Sequence, residues 1–336
     1  MRHAKLKIVL ALLLTLHIGW AQSDSAFRLA FYNVENLFDT ADDPVTMDEE
    51  FTPEGDKAWT QDRFQAKLDK IAQVMTGMEY PAIMGFCEVE NKAVLTALCE
   101  HATLKGKAYT PVHFDSPDLR GIDVALLYQK NDFELLDATP IRIDFPSWLE
   151  PESYTSRDIL HVTLRHTVTK EVIHVFVNHW PSRRGGGAES EHRRLWVSAH
   201  LRRAVDAVLI DNPLATLFIM GDFNDEPRNR SLSYALGTLK VDDKRQVPGL
   251  LYNAFLNVDT KLTGSYNYKG QWNMLDQIIY AGLQAPNLWR MQGYGVFRQD
   301  WLLYKDTAPN RTYGGNQYYG GYSDHLPVYL DVVRKE

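Results

Sequence analysis

Six short polar motifs stand at the ends of apolar runs in this chain, and their residue types are those that move protons or hold hard cations. Phe31-Tyr32-Asn33 ends the first run, and Cys87-Glu88-Val89 ends the next. Asn178-His179-Trp180 closes a third, and Gly221-Asp222-Phe223-Asn224 a fourth. Met274-Leu275-Asp276 leads into a fifth, and Ser323-Asp324-His325 opens the last. Taken singly, an Asp, Asn or Ser beside a strand is a turn former or cap, and a lone His is a hydrogen-bonded structural group. Together the motifs supply carboxylates, carboxamides and two imidazoles. Oxygen donors of this kind suit Mg²⁺, Mn²⁺ or Ca²⁺, and imidazoles transfer protons or stabilise developing charge.

Such a constellation needs a scaffold that gathers strand ends. Phe27–Tyr32, Pro81–Val89, Ile122–Tyr128, Ile159–Leu164, Val172–Val177, Leu217–Met220, Gln277–Tyr280 and the alternating Val328, Leu330 and Val332 read as strands. Phe64, Leu68, Ile71 and Met75 recur at helical spacing behind a candidate N-cap, Thr60. Val94, Leu95 and Leu98 mark a second helix, and Leu201, Val205, Val208 and Leu209 a longer third. Residues 39–59 are acidic and turn-rich and read as a surface excursion. The irregular interleaving predicts an α/β (α+β) fold in which sheets pack together with helices outside, rather than simple βαβ alternation.

Composition narrows the setting. The chain has 336 residues, 45% hydrophobic and 24% charged, which allows a sizeable core. A formal net charge of −7 argues against a protein held to nucleic acid by basicity alone. It leaves open an enzyme whose positive charge is local to one cleft. Arg2, Lys5 and Lys7 precede the apolar run from Ile8 to Leu16, with Gly19 and Ala21 before Gln22, the layout of a secretory signal peptide over residues 1–21. The mature chain, 22–336, reads as one domain with no repeat, no linker and no later run long enough for membrane insertion. The two cysteines, Cys87 and Cys99, do not make a disulfide framework and read as small buried hydrophobes.

The ordered set Tyr32-Asn33-Val34, Cys87-Glu88-Val89, Asn178-His179, Gly221-Asp222-Phe223-Asn224, Leu275-Asp276 and Ser323-Asp324-His325-x-Pro327-Val328 resembles the endonuclease/exonuclease/phosphatase family from about Phe27 to Val333. Gly-Asp-Phe-Asn and Ser-Asp-His-x-Pro-Val are its most specific elements. The resemblance implies a four-layer sandwich, two packed mixed β-sheets flanked by helices, and hydrolysis of phosphoesters with one or two divalent ions. It implies Asn33, Glu88 and Asp324 as metal ligands. It implies that Asp222 and Asn224 handle the attacking water and the phosphoryl oxygen. His325, oriented by Asp276, would be the general base or a phosphate stabiliser, and His179 would contact the phosphate or protonate the leaving group.

Arg157 matches the family's phosphate-binding arginine, or else pairs with a neighbouring acid. Asp123, where the family often has Gly, could orient His179, or instead bond to backbone or Arg120. The basic, Gly-rich stretch from Pro181 to Gly187 offers Arg183 and Arg184 to a phosphate or nucleic-acid backbone, unless it is a mobile solvated loop. Tyr313, Tyr318, Tyr319 and Tyr322 lie on a Gly-rich segment running into Ser323 and could stack on bases or sugars, or pack within the loop. The expected function is a secreted or periplasmic, metal-dependent phosphodiesterase acting on nucleic acid, with no protein partner. The alternatives are a sphingomyelinase-type or inositol/sugar-phosphate hydrolase, and a non-catalytic binding module.

Overall fold

Strands with apolar residues at both odd and even positions require cover on both faces. The computed structural model describes residues 26–151, 154–242, 246–283 and 287–335; the expected signal peptide lies outside them. In chain order the first half comprises β1 (Ala26–Leu37), α1 (Gln61–Gly77), β2 (Ile83–Val89), α2 (Lys92–Cys99), β3 (Tyr109–His113), β4 (Asp123–Gln129), β5 (Phe133–Ile141), β6 (Ile159–His166) and β7 (Val172–His179). Then come α3 (Glu191–Asp211), β8 (Thr216–Asp222), β9 (Thr238–Lys240), β10 (Leu251–Asn253), β11 (Tyr266–Tyr268), β12 (Gln271–Asn273), β13 (Asp276–Ala281) and β14 (Trp289–Val296). Four two-residue strands, β15 (Leu303–Tyr304), β16 (Ala308–Pro309), β17 (Tyr313–Gly314) and β18 (Gln317–Tyr318), precede β19 (Val328–Arg334).

Two mixed sheets result. One runs β14-β19-β1-β2-β4-β3 and the other β5-β6-β7-β8-β13-β10-β9. Side chains alternate between layers as the pleat demands. Leu29 and Phe31 of β1 meet Val175, Val177, Phe218 and Met220 between the sheets. Ala30 and Tyr32 face outward under Phe64, Leu68, Ile71 and Met75 of α1. On the far side Leu217 and Ile219 pack beneath Val197, Leu201 and Val205 of α3. Helix, sheet, sheet and helix therefore form the expected four layers. The Thr60 hydroxyl accepts the Arg63 N–H at 3.4 Å and caps α1 as predicted. No helix among the described residues is long and apolar enough to cross a membrane, and Cys87 and Cys99 are buried and unpaired.

Three local features differ from the sequence reading. First, β1 continues past Tyr32 to Leu37, because a register shift between Asn33 and Leu37 lets it rejoin β2. Glu35 and Asn36 take positive φ there, and the bulge re-aims the side chains around it. Second, the 39–59 excursion is packed onto the protein. Phe38 stacks on Phe51 at 4.2 Å, and the buried Trp59 donates Nε1–H to the Phe38 carbonyl. Third, β5 and β14 form outer strands that hydrophobic patterning did not mark.

The parallel neighbours β7 and β8 approach closely at Gly221, where an added Cβ would lie 2.4 Å from the Asn178 carbonyl oxygen. Gly221→Ala is expected to destabilise the fold by roughly 1–3 kcal/mol through overpacking. A urea titration should show a lower midpoint with an unchanged slope.

Candidate active site

The parallel pairs β1–β2 and β7–β8, one in each sheet, end on the same side of the sandwich and bring Asn33, Glu88, His179 and Asp222 together. Antiparallel β13 begins opposite, with Asp276 in register with Asp222. Asn33 is buried and donates through Nδ2 to Glu88 Oε1 at 3.3 Å and Asp222 Oδ2 at 3.1 Å. Its Oδ1 accepts the Glu35 N–H at 3.0 Å. Glu88 reaches the cleft from a backbone with φ +61°, a strained conformation for a residue with a Cβ.

His325 and Asp276 form a buried pair, Nδ1 to Oδ2 at 2.6 Å. That bond directs Nε2 of His325 towards Asp222 Oδ2, 3.8 Å away, and Asp324 Oδ1, 4.0 Å away. On the opposite side of Asp222, His179 Nε2 lies 3.7 Å from the same Oδ2 and 3.9 Å from Glu88 Oε1. Asp222 thus sits between two imidazoles. Its Oδ1 accepts the Asn224 N–H at 2.9 Å, and Asn224, with φ +49°, donates its amide to the Trp180 carbonyl. Ser323 secures the last motif by donating to the Asn33 carbonyl while accepting the His325 N–H.

The electrostatics are set by crowded carboxylates in a buried place. Burial raises Asp222, reinforced by Asp276 and opposed by His325. Burial likewise raises Asp324, with Glu88 and Asp222 adding repulsion against the pull of His325 and Lys67. Burial alone would lower His325, but Asp276 and Asp222 override it and hold the imidazole well above the ordinary histidine range. His179 goes the other way, well below that range, through burial, Arg157 and Arg120. One imidazole is therefore cationic at neutral pH and the other neutral. The neutral ring has no partner on its buried Nδ1 among the described residues, so its proton belongs on Nε2, facing the carboxylates. Behind the site the buried Lys67 donates to Thr312 Oγ1 and the Tyr322 carbonyl, and burial lowers it to about 8.

Glu88, Asp222 and Asp324 have no Lys or Arg within ion-pairing distance among the described residues; their close basic neighbours are the imidazoles of His179 and His325. Asp222 and Asp324, both raised by burial and by neighbouring carboxylates, share the site with Glu88, and oxygen donors of this kind suit a hard divalent cation. Glu88 and Asp324 are placed to hold it. Asn33, expected as a ligand, instead presents its amide nitrogen to two carboxylates and gives its oxygen to the backbone.

The other expectations divide. Arg157 is buried and donates to the His179 and Trp180 carbonyls and to Asp118, so its guanidinium braces the strand end carrying His179. Arg183 donates to the Asn224 carbonyl and to Asn229, bracing the Asp222–Asn224 turn. Arg184 alone of the three has no side-chain partner among the described residues, and it lines the cleft. Asp123 does not orient His179: its carboxylate bonds to His113 Nε2 at 3.1 Å and to the Ser116 N–H. The Gly-rich tyrosines are also corrected. Tyr313 and Tyr322 are buried beside α1, and none of the four lines the cleft. The cleft, of about 800 Å³, is instead walled by Tyr266 and Tyr268 of the β11–β12 hairpin, which sequence reasoning missed. Tyr266 packs against His325 with ring centroids 4.8 Å apart. Only the turn signal Lys269-Gly270 between two aromatic triplets could have revealed that hairpin.

A family model described as "Endonuclease/Exonuclease/phosphatase family" matches residues 28–334. The chain belongs to this family and is a hydrolase of phosphoester bonds. Solved structures share the fold at low identity. The human Nocturnin catalytic domain is 16% identical over 92% of this chain and 95% of its own, with a TM-score of 0.56. Danio rerio TDP2 with a single-strand DNA product is 13% identical over 92% and 99%, with a TM-score of 0.57. A Bacteroides thetaiotaomicron mannosyl-6-phosphatase is 16% identical over 91% and 99%, with a TM-score of 0.54. No curated protein matches the chain by sequence.

Asp276→Asn is expected to remove the charge that holds His325 high and to lower kcat on the order of 10²–10⁴-fold. The folded protein raises His325, so the stability drawn from Asp276 is complete below pH ~6.5 and is lost as pH rises through the higher folded value. Thermal unfolding of wild type and variant should therefore differ most in acid and converge towards alkaline pH, which a melting series across pH checks.

Proposed function

We propose that this protein is a divalent-metal-dependent phosphodiesterase of nuclease type that acts outside the cytoplasm. The observation that carries the reading is the position of Asp222 Oδ2, within 4 Å of the Nε2 atoms of both His179 and His325. A divalent ion at Glu88 and Asp324, when bound, would neutralise phosphate charge and act as a Lewis acid. Asp222, its proton affinity raised, is suited to take a proton from the attacking water at Oδ2. His325, cationic and oriented by Asp276, donates from Nε2 to a phosphoryl oxygen. His179 adds a neutral N–H donor on the other side. Asn33 and Asn224 hold the carboxylates and the turn in place. Donors fixed in advance where charge develops supply electrostatic stabilisation without reorganisation.

A cleft with an arginine wall and a tyrosine wall favours a phosphodiester flanked by bases over a small sugar phosphate. Structural neighbours include proteins described as binding a single-strand DNA product and as a mannosyl-6-phosphatase, so the substrate must be decided by turnover. Export rests on the leader-like pattern of residues 1–21.

With Mg²⁺ or Mn²⁺ the protein is expected to nick plasmid DNA or cleave single strands, with EDTA and His325→Ala each abolishing cleavage. Turnover confined to inositol or sugar monophosphates, or to sphingomyelin, would overturn the nuclease reading. Glu88→Ala should weaken divalent-ion binding in calorimetry by about tenfold or more; unchanged affinity would remove Glu88 from the ligand set.

A further inference from the structure

Beside the cleft lies a second basin of about 390 Å³ whose cations the reaction does not use. Arg120, Arg157, Ser182 and Arg184 line both cavities, so the two are continuous across that wall. Four arginines (Arg120, Arg157, Arg184 and Arg193) and a single carboxylate, Asp118, line the basin.

The hydrogen bonds show which of these charges are spent. Arg193 pairs through two nitrogens with Glu150 and lies over the Tyr154 ring. Arg157 is occupied by Asp118 and two carbonyls. Among the described residues Asp118 is the only acid that pairs with Arg120, at 3.4 Å, and it is shared with Arg157 at 3.1 Å. One carboxylate facing two guanidiniums leaves a surplus positive charge, and Arg184 adds another. Arg120 is also held on a formed turn: its N–H bonds to Asp118 Oδ1, the Gly121 N–H to the Asp118 carbonyl, and the Leu119 carbonyl accepts from Met47. Its side chain is 54% exposed, so guanidinium hydrogens are free to meet a ligand.

We propose that Arg120 and Arg184 form a second anion subsite, which takes a further phosphate of the substrate while the scissile one lies at Asp222 and His325. The subsite rests on the phosphodiesterase reading and deepens it: the substrate carries at least two phosphates along one chain. Exposed guanidiniums recognise phosphate oxygens in bidentate fashion, and sharing Asp118 spares Arg120 a full desolvating partner. The carboxylates of the first site repel an anion without a counter-ion, whereas the second basin attracts one directly. Two sources could provide the phosphate: the next link of a nucleic-acid backbone, or a small polyphosphorylated molecule.

Binding, not turnover, is the test. Calorimetry in Mg²⁺ would compare inorganic phosphate, tripolyphosphate and a 5′-phosphorylated trinucleotide with hydrolysis-resistant phosphorothioate links. At least one of the two longer anions should bind about tenfold or more tightly than inorganic phosphate, the value of one charge-assisted contact. A preference for the trinucleotide identifies a backbone, and a preference for tripolyphosphate identifies a small molecule. The double variant Arg120→Ala/Arg184→Ala should lose most of that advantage, while its melting temperature, set by buried groups, shows that it is folded. Equal affinity for all three anions, or an advantage that survives in the folded double variant, overturns the subsite. Because no catalysis is read, a protein that cleaves nothing yet shows the advantage would fail the phosphodiesterase reading and keep the subsite.

Discussion

Five carboxylates, those of Glu35, Glu88, Asp222, Asp276 and Asp324, converge at one edge of the sandwich, and their mutual repulsion is the constraint around which the site is built. Buried charge is costly unless it is paired or hydrogen-bonded. Each carboxylate has a different remedy. Asp276 has the cationic His325 at 2.6 Å. Glu35 accepts two backbone N–H groups, from Thr312 and Tyr313. Asn33 places one amide between Glu88 and Asp222. Lys67 raises no direct bond to any of them but sets a positive charge behind the cluster, which pulls against the rise of Glu35 and Asp324. What these devices leave unneutralised faces the cleft, where a divalent ion would offset part of the remaining negative charge.

Strain belongs to the same balance. Glu88 and Asn224 both hold positive φ, and a left-handed backbone outside glycine costs on the order of 1–3 kcal/mol at a residue such as Glu88. Asn accepts that conformation more readily than Glu. The register shift between Cys87 and Val89 in the β2–β4 ladder shows how Glu88 is kept there: pairing resumes on its far side, so the strand cannot relax without losing Val89 from the sheet. The strain turns the carboxylate out of the sheet plane and towards the opposite sheet's residues. Arg157 and Arg183 act similarly from below, spending guanidinium donors on the carbonyls of His179, Trp180 and Asn224. Neither is a free phosphate ligand, and both are needed for strand ends from different parts of the chain to keep their spacing.

Much of this was legible in sequence because the chemistry sits where apolar runs stop. A run covered on both faces must end at the layer's edge, and polar residues at its end face the only place water and substrate can enter. Asn33, Glu88, His179, Asp222, Asn224, Asp276, Asp324 and His325 could be read this way, and the sandwich with them. What escaped has equally physical causes. β5 is mostly exposed, so it carries no alternation, and β14 is interrupted by Gly293 and Gly295 with a register shift at Met291. The oxygen of Asn33 and the partners of Arg157 depend on residues such as Glu35 and Asp118, which no local pattern links to them. Asp123 could either orient His179 or bond to backbone or Arg120; it takes a backbone N–H, from Ser116, and its other partner His113 lies on the adjacent strand β3, a pairing fixed only by the ladder.

The tyrosines show most clearly why aromatic content near a motif is a poor guide to a binding wall. Tyr313 and Tyr322 precede Ser323 closely, yet they pack with Phe51, Trp59 and Trp301, because that segment is tied to Glu35 and Lys67 and so is drawn under α1. The β11–β12 hairpin is far from every motif but Leu275-Asp276, and it is this hairpin that borders the cleft. Tyr266 pairs with His325 through an isolated bridge as well as ring contact, and Ser265 accepts the N–H groups of Leu275 and Asp276. The hairpin is thereby fastened to both members of the Asp–His pair. The wall of the cleft is thus joined to the imidazole by this hairpin rather than by the loops that the sequence made conspicuous, because Ser265 and Tyr266 sit next to each other at the start of the hairpin that meets both residues.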